Sequence, residues 1–547
     1  MGKKKDNNYL VQGTILTAAS IIARVIGMIY RIPLNRIIGP EGNSYYSTAN
    51  EIYTILLLIS SYNLPLAISK LISERLNNGE YKNAYRVYRC ALKFAIPVGA
   101  IFAIVTFFGA DFIATVLVHN EMAVYGIRIL APALFFVALL GVVRGFFQGH
   151  GNMVPTAVSQ IIEQIVNAVV SVAGAAVLIG IGASVAESEK NPSFKPAYGA
   201  AGATIGTVVS VCVALVFLGV IYTSYIQRYK RKMRRDKTHR KESEQKIYRA
   251  IIITIVPVIL SSVLYNITTI LDQSVFNSVL ASQGYTSEQY NIIWGTYSGE
   301  FRVLMNVPLA LASCLAPSIV PSLAAAWADR DKKAARQKAG EAIRYTMVIT
   351  IPCAVGMMAL ASPIMRMLFA DDGSLVEGIM QGGSPMMVLF ALSTLTTGIL
   401  QGIGKMKVPL INTVVALVIH VIVLLVSLRV GNMNIYGVIL ANTVFAFAMC
   451  VLNAIAVKRY LHYRQEIPKT FIVPLLSSAV MGVVAWGVHA LLEGLVGNII
   501  ATLFAIVVGA CVYFIFLVRF RGVSQKELAS FPKGSTLVSL SRKLHLI

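Results

Sequence analysis

Charged residues are scarce in this chain. They fill 13% of its 547 positions, while 56% are hydrophobic, against about 25% charged residues in an ordinary soluble protein. That balance excludes a soluble globular enzyme and leaves a polytopic membrane protein. Acid is scarcer still: 25 Asp and Glu stand against 48 Lys and Arg, a net charge of +23. The excess could serve nucleic acid, but it falls in alternate short loops with no accompanying domain, so no nucleic-acid partner is expected. Cysteine is thin and scattered at Cys90, Cys212, Cys314, Cys353, Cys450 and Cys511. None has CxxC or Cys/His spacing, which excludes a metal cluster and a disulfide framework, so no metal and no cofactor are expected. The remaining loops are too short for an extramembrane domain, and no cluster of catalytic acids appears in them. A membrane-embedded glycosyltransferase or polymerase is therefore disfavoured. A transporter, not an enzyme, is expected.

What is present is a series of apolar stretches. Taking roughly 20 residues per crossing gives about fourteen spans, near 10–38, 46–74, 89–117, 124–148, 154–182, 198–226, 250–280, 293–326, 342–369, 377–403, 408–430, 435–459, 470–492 and 498–520. Basic residues mark every second connection: Arg75/Lys82/Arg86/Arg89, the run RYKRKMRRDKTHRK at 228–241, Arg330 to Lys338, Lys405/Lys407, Lys458/Arg459/Arg464, and the tail from Arg519. The intervening loops (HNEMAV, ASQGYTSEQYN, ADDGSLVEG) are neutral or acidic. The positive-inside rule then places both termini in the cytoplasm of a cell with this protein in its plasma membrane. Lys3, Lys4 and Lys5 precede a first span too long for a signal h-region, so a retained signal-anchor is expected. The run at 228–241 reads as a cytoplasmic loop that also sits on anionic headgroups.

The first span holds the sharpest anomaly. Arg24, Arg31 and Arg36 lie within LVQGTILTAASIIARVIGMIYRIPLNRIIGP, residues 10–40. An arginine at mid-membrane costs about 2.5–3.5 kcal/mol on insertion scales and usually faces protein or a wet cavity. Ser20, Arg24, Gly27, Arg31 and Asn35 share one helical face. Arg24 lies about 21 Å along the helix from Leu10, too deep to snorkel, whereas Arg36 is next to the exit. Arg302 lies about 15 Å into the eighth span, with Pro308, Pro317 and Pro321 after it. Asn266, Thr269, Asp272 and Gln273 step along the seventh span, and Glu51 is the acid of the second. Candidate substrate-binding residues are Arg24, Arg31, Arg302, Ser20, Asn266, Glu51, Asp272 and Glu300. Structural ion pairing is the rival reading, at even weight for Glu51 and Asp272. Gln160, Glu163, Gln164 and Asn167 form a stripe on the fifth span, read as interhelical hydrogen bonding. Arg128, Arg144 and Arg366 are expected to snorkel, and His420 and His489 to be packed.

The chain repeats itself. FFQGHGNMVP (146–155) and ILQGIGKMKVP (399–409) match, with Gln148, Gly149, Gly151 and Met153 against Gln401, Gly402, Gly404 and Met406. NLPLA (63–67) likewise matches NVPLA (306–310). Locally QGxGxM is a tight turn using the φ freedom of glycine. The repetition predicts an all-α protein of two pseudo-symmetric six-helix lobes around a central cavity, related by an axis along the membrane normal, plus two C-terminal helices. The lobes divide the chain into 1–227 for the N-terminal lobe, 228–249 for the basic loop, 250–462 for the second lobe, 463–520 for the last pair and 521–547 for the tail. Spans one, two, seven and eight should meet.

ARVIGMIYR (23–31) and EFRVLMNVPLALASCLAPSIVPSL (300–323), within this architecture, resemble the MOP exporter superfamily, in particular lipid II flippases of the MurJ/SpoVB/YtgP type. The resemblance covers essentially the whole chain. It implies translocation of an undecaprenyl-pyrophosphate-linked saccharide from the inner to the outer leaflet, by a monomer that works among membrane lipids and cell-wall synthesis proteins. It matches Arg24 and Arg302 to the cavity arginines of that family. The family's second-helix arginine has no counterpart in YTILLLISSYNLPLA, and Arg31 is shifted by one position against its arginine–acid pair. Span eleven lacks the acid that the sodium site of some relatives needs. Coupling to membrane potential or to a monovalent cation stays open. So do two other cargoes: a teichoic-acid, capsule or exopolysaccharide unit, or an organic cation as in multidrug antiporters. A cationic cavity disfavours the last.

Overall fold

The computed structural model describes residues 2–547 except 62–63, 237–240, 311–322, 324–325, 328, 372, 524, 526–538 and 540–547. Its regular structure is helical: α1 (Gly2–Ile29), α2 (Arg31–Ser60), α3 (Leu64–Asn77), α4 (Tyr81–Phe112), α5 (Val124–Gly149), α6 (Val154–Ser188), α7 (Phe194–Arg234), α8 (Glu244–Ser282) and α9 (Ser287–Gly295). A π-helical turn at Thr296–Phe301 comes next, and residues 302–310 continue as helix. Then come α10 (Lys332–Ala359), α11 (Ala361–Phe369), α12 (Ser374–Gly402), α13 (Lys407–Arg429), α14 (Ile435–Leu461) and α15 (Val473–Arg519). The protein is a multi-pass membrane protein: among the described residues, 10 helices are long and apolar enough to cross a bilayer. The segments 311–322 and Asn63, which the sequence places in the eighth span and the second repeat, lie outside the described residues.

Two of those helices turn back on one residue each. Gly39 (φ 69°) interrupts α2 just before Pro40, and Gly497 (φ 79°) interrupts α15. The 47 residues of α15 would extend about 70 Å as one rod, more than twice the apolar thickness of a bilayer. The expected boundaries between spans one and two and between thirteen and fourteen thus fall on left-handed glycines rather than on loops. Within the first expected span α1 runs into α2 through Tyr30, which keeps helical φ and ψ, with Tyr30 N–H donating to Ile26 O (3.2 Å) and Leu34 N–H to Tyr30 O (3.2 Å). The QGxGxM repeat is a turn in both copies. Gly151 (φ 73°) and Gly404 (φ 77°) take the same conformation, and the chain closes alike, with Gly151 N–H donating to Gln148 O (2.9 Å) and Gly404 N–H to Gln401 O (3.0 Å).

The chain forms two compact units, 1–299 and 300–547. In the first, α6 and α7 approach through small residues. A Cβ on Gly174 would sit 2.5 Å from Gly202 O, and Ser171 Oγ donates to Ala203 O at 2.8 Å. Glycines let backbones approach where no hydrophobic gradient separates protein from lipid. At the far end of α7 a cluster of rings (Tyr88, Phe146, Tyr222, Tyr225, Tyr229) encloses His150, whose ring centroid is 4.3 Å from that of Phe146. The first half of the basic run is helix, since α7 extends through Arg234, while residues 237–240 lie outside the described residues. Acids at its end and beyond it fasten the chain to the first helices: Asp236 accepts from Lys82 N–H (2.7 Å), and Glu242 pairs with the buried Arg75 at 2.7 Å.

In the second unit, Ala335, Ala339, Ile343 and Met347 of α10 pack against Leu395 and Ile399 of α12 and Val457 and Leu461 of α14. Asn453 ties α14 to α12 and α13, donating to Thr396 Oγ1 (3.1 Å) and accepting from Asn412 (2.9 Å). His420 is fully buried with its ring edge-on to Phe445, and His489 is 4% exposed with Nε2 against Asn498 Oδ1 at 3.0 Å. Arg366 does not reach outward alone: it pairs with Glu493 at 2.8 Å.

Candidate functional site

Two polar features are built within the first unit. One is a seam. The kink at Gly39 starts a helical stretch of small polar residues (Asn43, Ser44, Ser47, Thr48), all buried. Across it lie α8, α9 and the π-turn. Ser44 Oγ donates to Asn291 Oδ1 (2.6 Å), Ser47 Oγ meets Ser298 Oγ (2.9 Å), and Gln273 Nε2 donates to Thr48 Oγ1 (2.6 Å). Asn35 donates to Gly299 O. Asn120 adds a bond to Thr48 Oγ1 (2.9 Å), and Asn277 one to Val118 O (3.0 Å). Gly295 and Gly299 permit the contact, because a Cβ on Gly295 would fall on the Pro40 carbonyl and one on Gly299 would lie 2.6 Å from the Asn43 side chain. The expected meeting of spans one and two with seven and the start of eight is therefore seen here, through amides and hydroxyls.

The other feature is a cavity of about 670 Å³ walled by α1, α2, α3, α5, α6 and α7. Arg31, Tyr46, Asn50, Tyr53, Arg144, Gln148, Gln160, Glu163, Gln164 and Asn167 face it. Arg31 lies over the Tyr46 ring, 5.7 Å from its centroid. Arg144 is held on both sides: Nε donates to Ser159 Oγ (3.0 Å) and Nη2 to Glu163 Oε2 (2.7 Å). That pair is largely buried, with side chains 15% and 21% exposed.

The other sequence candidates are spread more widely. Ser20 Oγ donates to Gln160 Oε1 (3.1 Å), tying α1 to α6 beside the cavity. Arg24 is exposed on α1 and does not line the cavity. Glu51 is half-buried on α2, Asp272 is buried on α8 next to Gln273, and Asn266 donates to Ser262 O of its own helix (2.8 Å). Glu300, buried, and Arg302, half-buried, open the second unit.

Sequence reasoning missed two things. Arg144 does not snorkel; it turns inward to Glu163. Arg128, by contrast, stays at the exposed surface, where it pairs with Asp111. The stripe Gln160–Asn167 does bond between helices, Ser20 Oγ donating to Gln160 Oε1 and Asn167 Nδ2 to the Tyr30 hydroxyl, but the same stripe also lines a cavity, which was not expected. The signal was there, since four polar residues at i, i+3, i+4 and i+7 mark one face, but the pattern cannot say whether that face meets a helix or a void.

The comparisons with known proteins agree on the architecture. A family model described as Polysaccharide biosynthesis protein matches residues 10–327, and one described as MatE matches 257–426. The chain is 24% identical to the lipid II flippase MurJ of Bacillus subtilis (strain 168), over 93% of this chain and 94% of that one. Its fold is similar to a solved structure of the lipid II flippase MurJ in an inward closed conformation (TM-score 0.65, 17% identity, 92% of this chain and 98% of that one). It is also similar to an inward-facing multidrug resistance MATE family transporter of the MOP superfamily (TM-score 0.63, 18% identity, 83% and 99% covered).

Proposed function

Because the chain belongs to the polysaccharide biosynthesis protein family, within the MOP superfamily, we propose that it is a flippase of the bacterial plasma membrane. It carries an undecaprenyl-pyrophosphate-linked peptidoglycan precursor, lipid II, from the inner to the outer leaflet by alternating access, with both termini in the cytoplasm. The observation that carries the reading is the seam. Its contacts are single hydrogen bonds between small polar groups. Each contributes only about 0.5–1.5 kcal/mol net, because water can replace either partner. Such an interface opens and closes far more readily than one of interlocked apolar side chains. In the topology read from the loops it sits at the outer end of the spans, where a carrier open to the cytoplasm must be shut.

Arg24, Arg31 and Arg302 supply cationic donors for the pyrophosphate, whose oxygens fit the planar guanidinium fork. The polyprenyl chain stays in lipid, along α15. No covalent chemistry is required, and reorientation draws on membrane potential or a monovalent cation. Residues 257–426 also match the MatE model, which favours export of an organic cation as the second reading; surplus arginine opposes it electrostatically.

The test is depletion-rescue in a bacterium lacking its own lipid II flippase, with outer-leaflet lipid II measured directly. Restoration supports the proposal. Growth without lipid II at the outer leaflet, or accumulation of a teichoic-acid or capsule lipid instead, moves the assignment to another lipid-linked cargo. Drug resistance with no lipid transport moves it to the antiporters.

A further inference from the structure

We propose that the seam along α2 carries its own opposition to closure: buried amides left without partners in the shut arrangement, Asn43 above all, set how readily it parts. The inference rests on the flippase reading, in which the seam shuts the outer end of the carrier, and deepens it by naming the groups that work against the shut state.

The bonds across the seam leave polar atoms over. Asn43, Asn120, Gln273 and Asn277 are each 1% exposed or less. Neither Nδ2 nor Oδ1 of Asn43 has a hydrogen-bond partner among the described residues, and the same holds for Asn120 Oδ1, Gln273 Oε1, Asn277 Oδ1 and Nε1 of the buried Trp294. Turning the amides over does not cure this. Thr48 Oγ1 gives its own hydrogen to Ser44 O (2.7 Å) and can only accept, so it fixes the nitrogens of Asn120 and Gln273 toward itself. Asn277 Nδ2 is held in the same way by two acceptors, Val118 O (3.0 Å) and His119 O (3.3 Å). Three amide oxygens remain unmatched.

Asn43 is the extreme case. A Cβ on Gly299 would lie 2.6 Å from Asn43 Cγ and 2.9 Å from its Nδ2. The amide is therefore packed directly against that glycine's backbone, a close approach that comes with no bond. A polar group buried in this way gives up its hydration and gains nothing in exchange. Exceptions to hydrogen-bond pairing are few in folded proteins, and several on one interface mark stored strain. Ser44, Ser47 and Thr48 favour the shut arrangement through their bonds, whereas Asn43 favours only the parted one, where water reaches it. Both influences act within about two turns of one helix. Their opposition keeps the shut state shallow enough for a carrier that has to leave it.

The experiment uses the full-length chain in nanodiscs with Ser298→Cys as the parent. Peptide mass spectrometry follows how fast a membrane-impermeant thiol reagent labels that buried position, which reports the parted fraction. Asn43→Leu, close to asparagine in shape but unable to bond, should slow labelling about tenfold, because removing an unpaired buried group stabilises the state that buries it. Ser44→Ala, which removes the bond to Asn291, should speed labelling by about the same factor. Asn43→Val, shorter than leucine, should also slow it and keeps the test valid where leucine does not fit. If both Asn43 variants label as fast as the parent or faster, the amide is satisfied in the shut state, by water or an ion, and the proposal is overturned. If the parent is never labelled while depletion-rescue restores outer-leaflet lipid II, the seam does not part: the proposal fails and the flippase reading stands. If depletion-rescue fails while the Asn43 variants slow labelling, the cargo reading fails and the seam behaves as proposed.

Discussion

At the scale of single residues, the arginines divide by surroundings rather than by number. Arg144 and Arg366 have carboxylates at 2.7 and 2.8 Å, and each is committed to its own unit. Arg24, Arg31 and Arg302 are the ones proposed to meet an anion. A charged hydrogen bond to a buried group contributes about 1.5–3 kcal/mol, or roughly ten- to a hundred-fold. Arg24→Ala and Arg302→Ala should therefore reduce lipid II flipping by at least tenfold at unchanged membrane abundance, with lysine rescuing only in part because it lacks the fork. Arg36→Ala should be mild. Wild-type flipping by both of the first two variants would make these arginines structural. A different residue sets a pH limit. His150 lies outside the spans, enclosed by rings, with Nδ1 2.7 Å from Phe146 O. Burial drives its imidazole down to about 4, from about 6.5 in an open chain. Between those values the unfolded chain holds the extra proton. Stability is therefore complete above about pH 6.5 and declines as pH falls toward 4. Thermal unfolding in detergent should show that decline, and His150→Gln should flatten it. The sequence showed His150 only as part of a turn. Its burial depends on Tyr225 and Tyr229, some 75 residues onward, which no local pattern could join to it.

At the scale of elements, the turns were more legible than the sites. QGxGxM read as a glycine turn and both copies are one, because backbone φ is dictated locally. The same locality fails for the basic run. Its charge density reads as loop, yet Arg and Lys are good helix formers and α7 runs on through Arg234. The seam was half legible: the repeat said which spans should meet, while the arginines drew attention away from Ser44, Ser47 and Thr48. Its geometry allows a direct measurement. With Ser47 Oγ and Ser298 Oγ 2.9 Å apart, a Ser47→Cys/Ser298→Cys protein should form a disulfide on mild oxidation. Locking it should abolish transport, and reduction should restore it. Transport that continues undiminished with the bond closed would show that the seam need not part.

At the scale of the whole molecule, membrane insertion and fold class were written in composition, whereas the compact units divide at 299/300 and the repeat put the lobe boundary at 228–249. The interior of the first unit was not legible either, because a cavity is a property of six helices and leaves only a faint trace on each. Placement of charge obeys the same logic: Arg75 and Glu242, far apart in sequence, meet at 2.7 Å, fastening the segment after the basic run to the end of α3. Gly295 has a consequence of another kind. Since any Cβ there collides with the Pro40 carbonyl, the shut arrangement admits glycine and nothing larger, whereas a parted one is indifferent to the residue. Substitution at that position is thus a thermodynamic bias, acting on one state alone. Shifting a two-state balance from 99:1 to 1:99 takes about 5.5 kcal/mol, a sum within reach of a bulky side chain driven into backbone. Gly295→Leu should leave the Ser47→Cys/Ser298→Cys pair unable to close, and would hold the carrier in whichever posture the shut one excludes, arrested for capture by imaging.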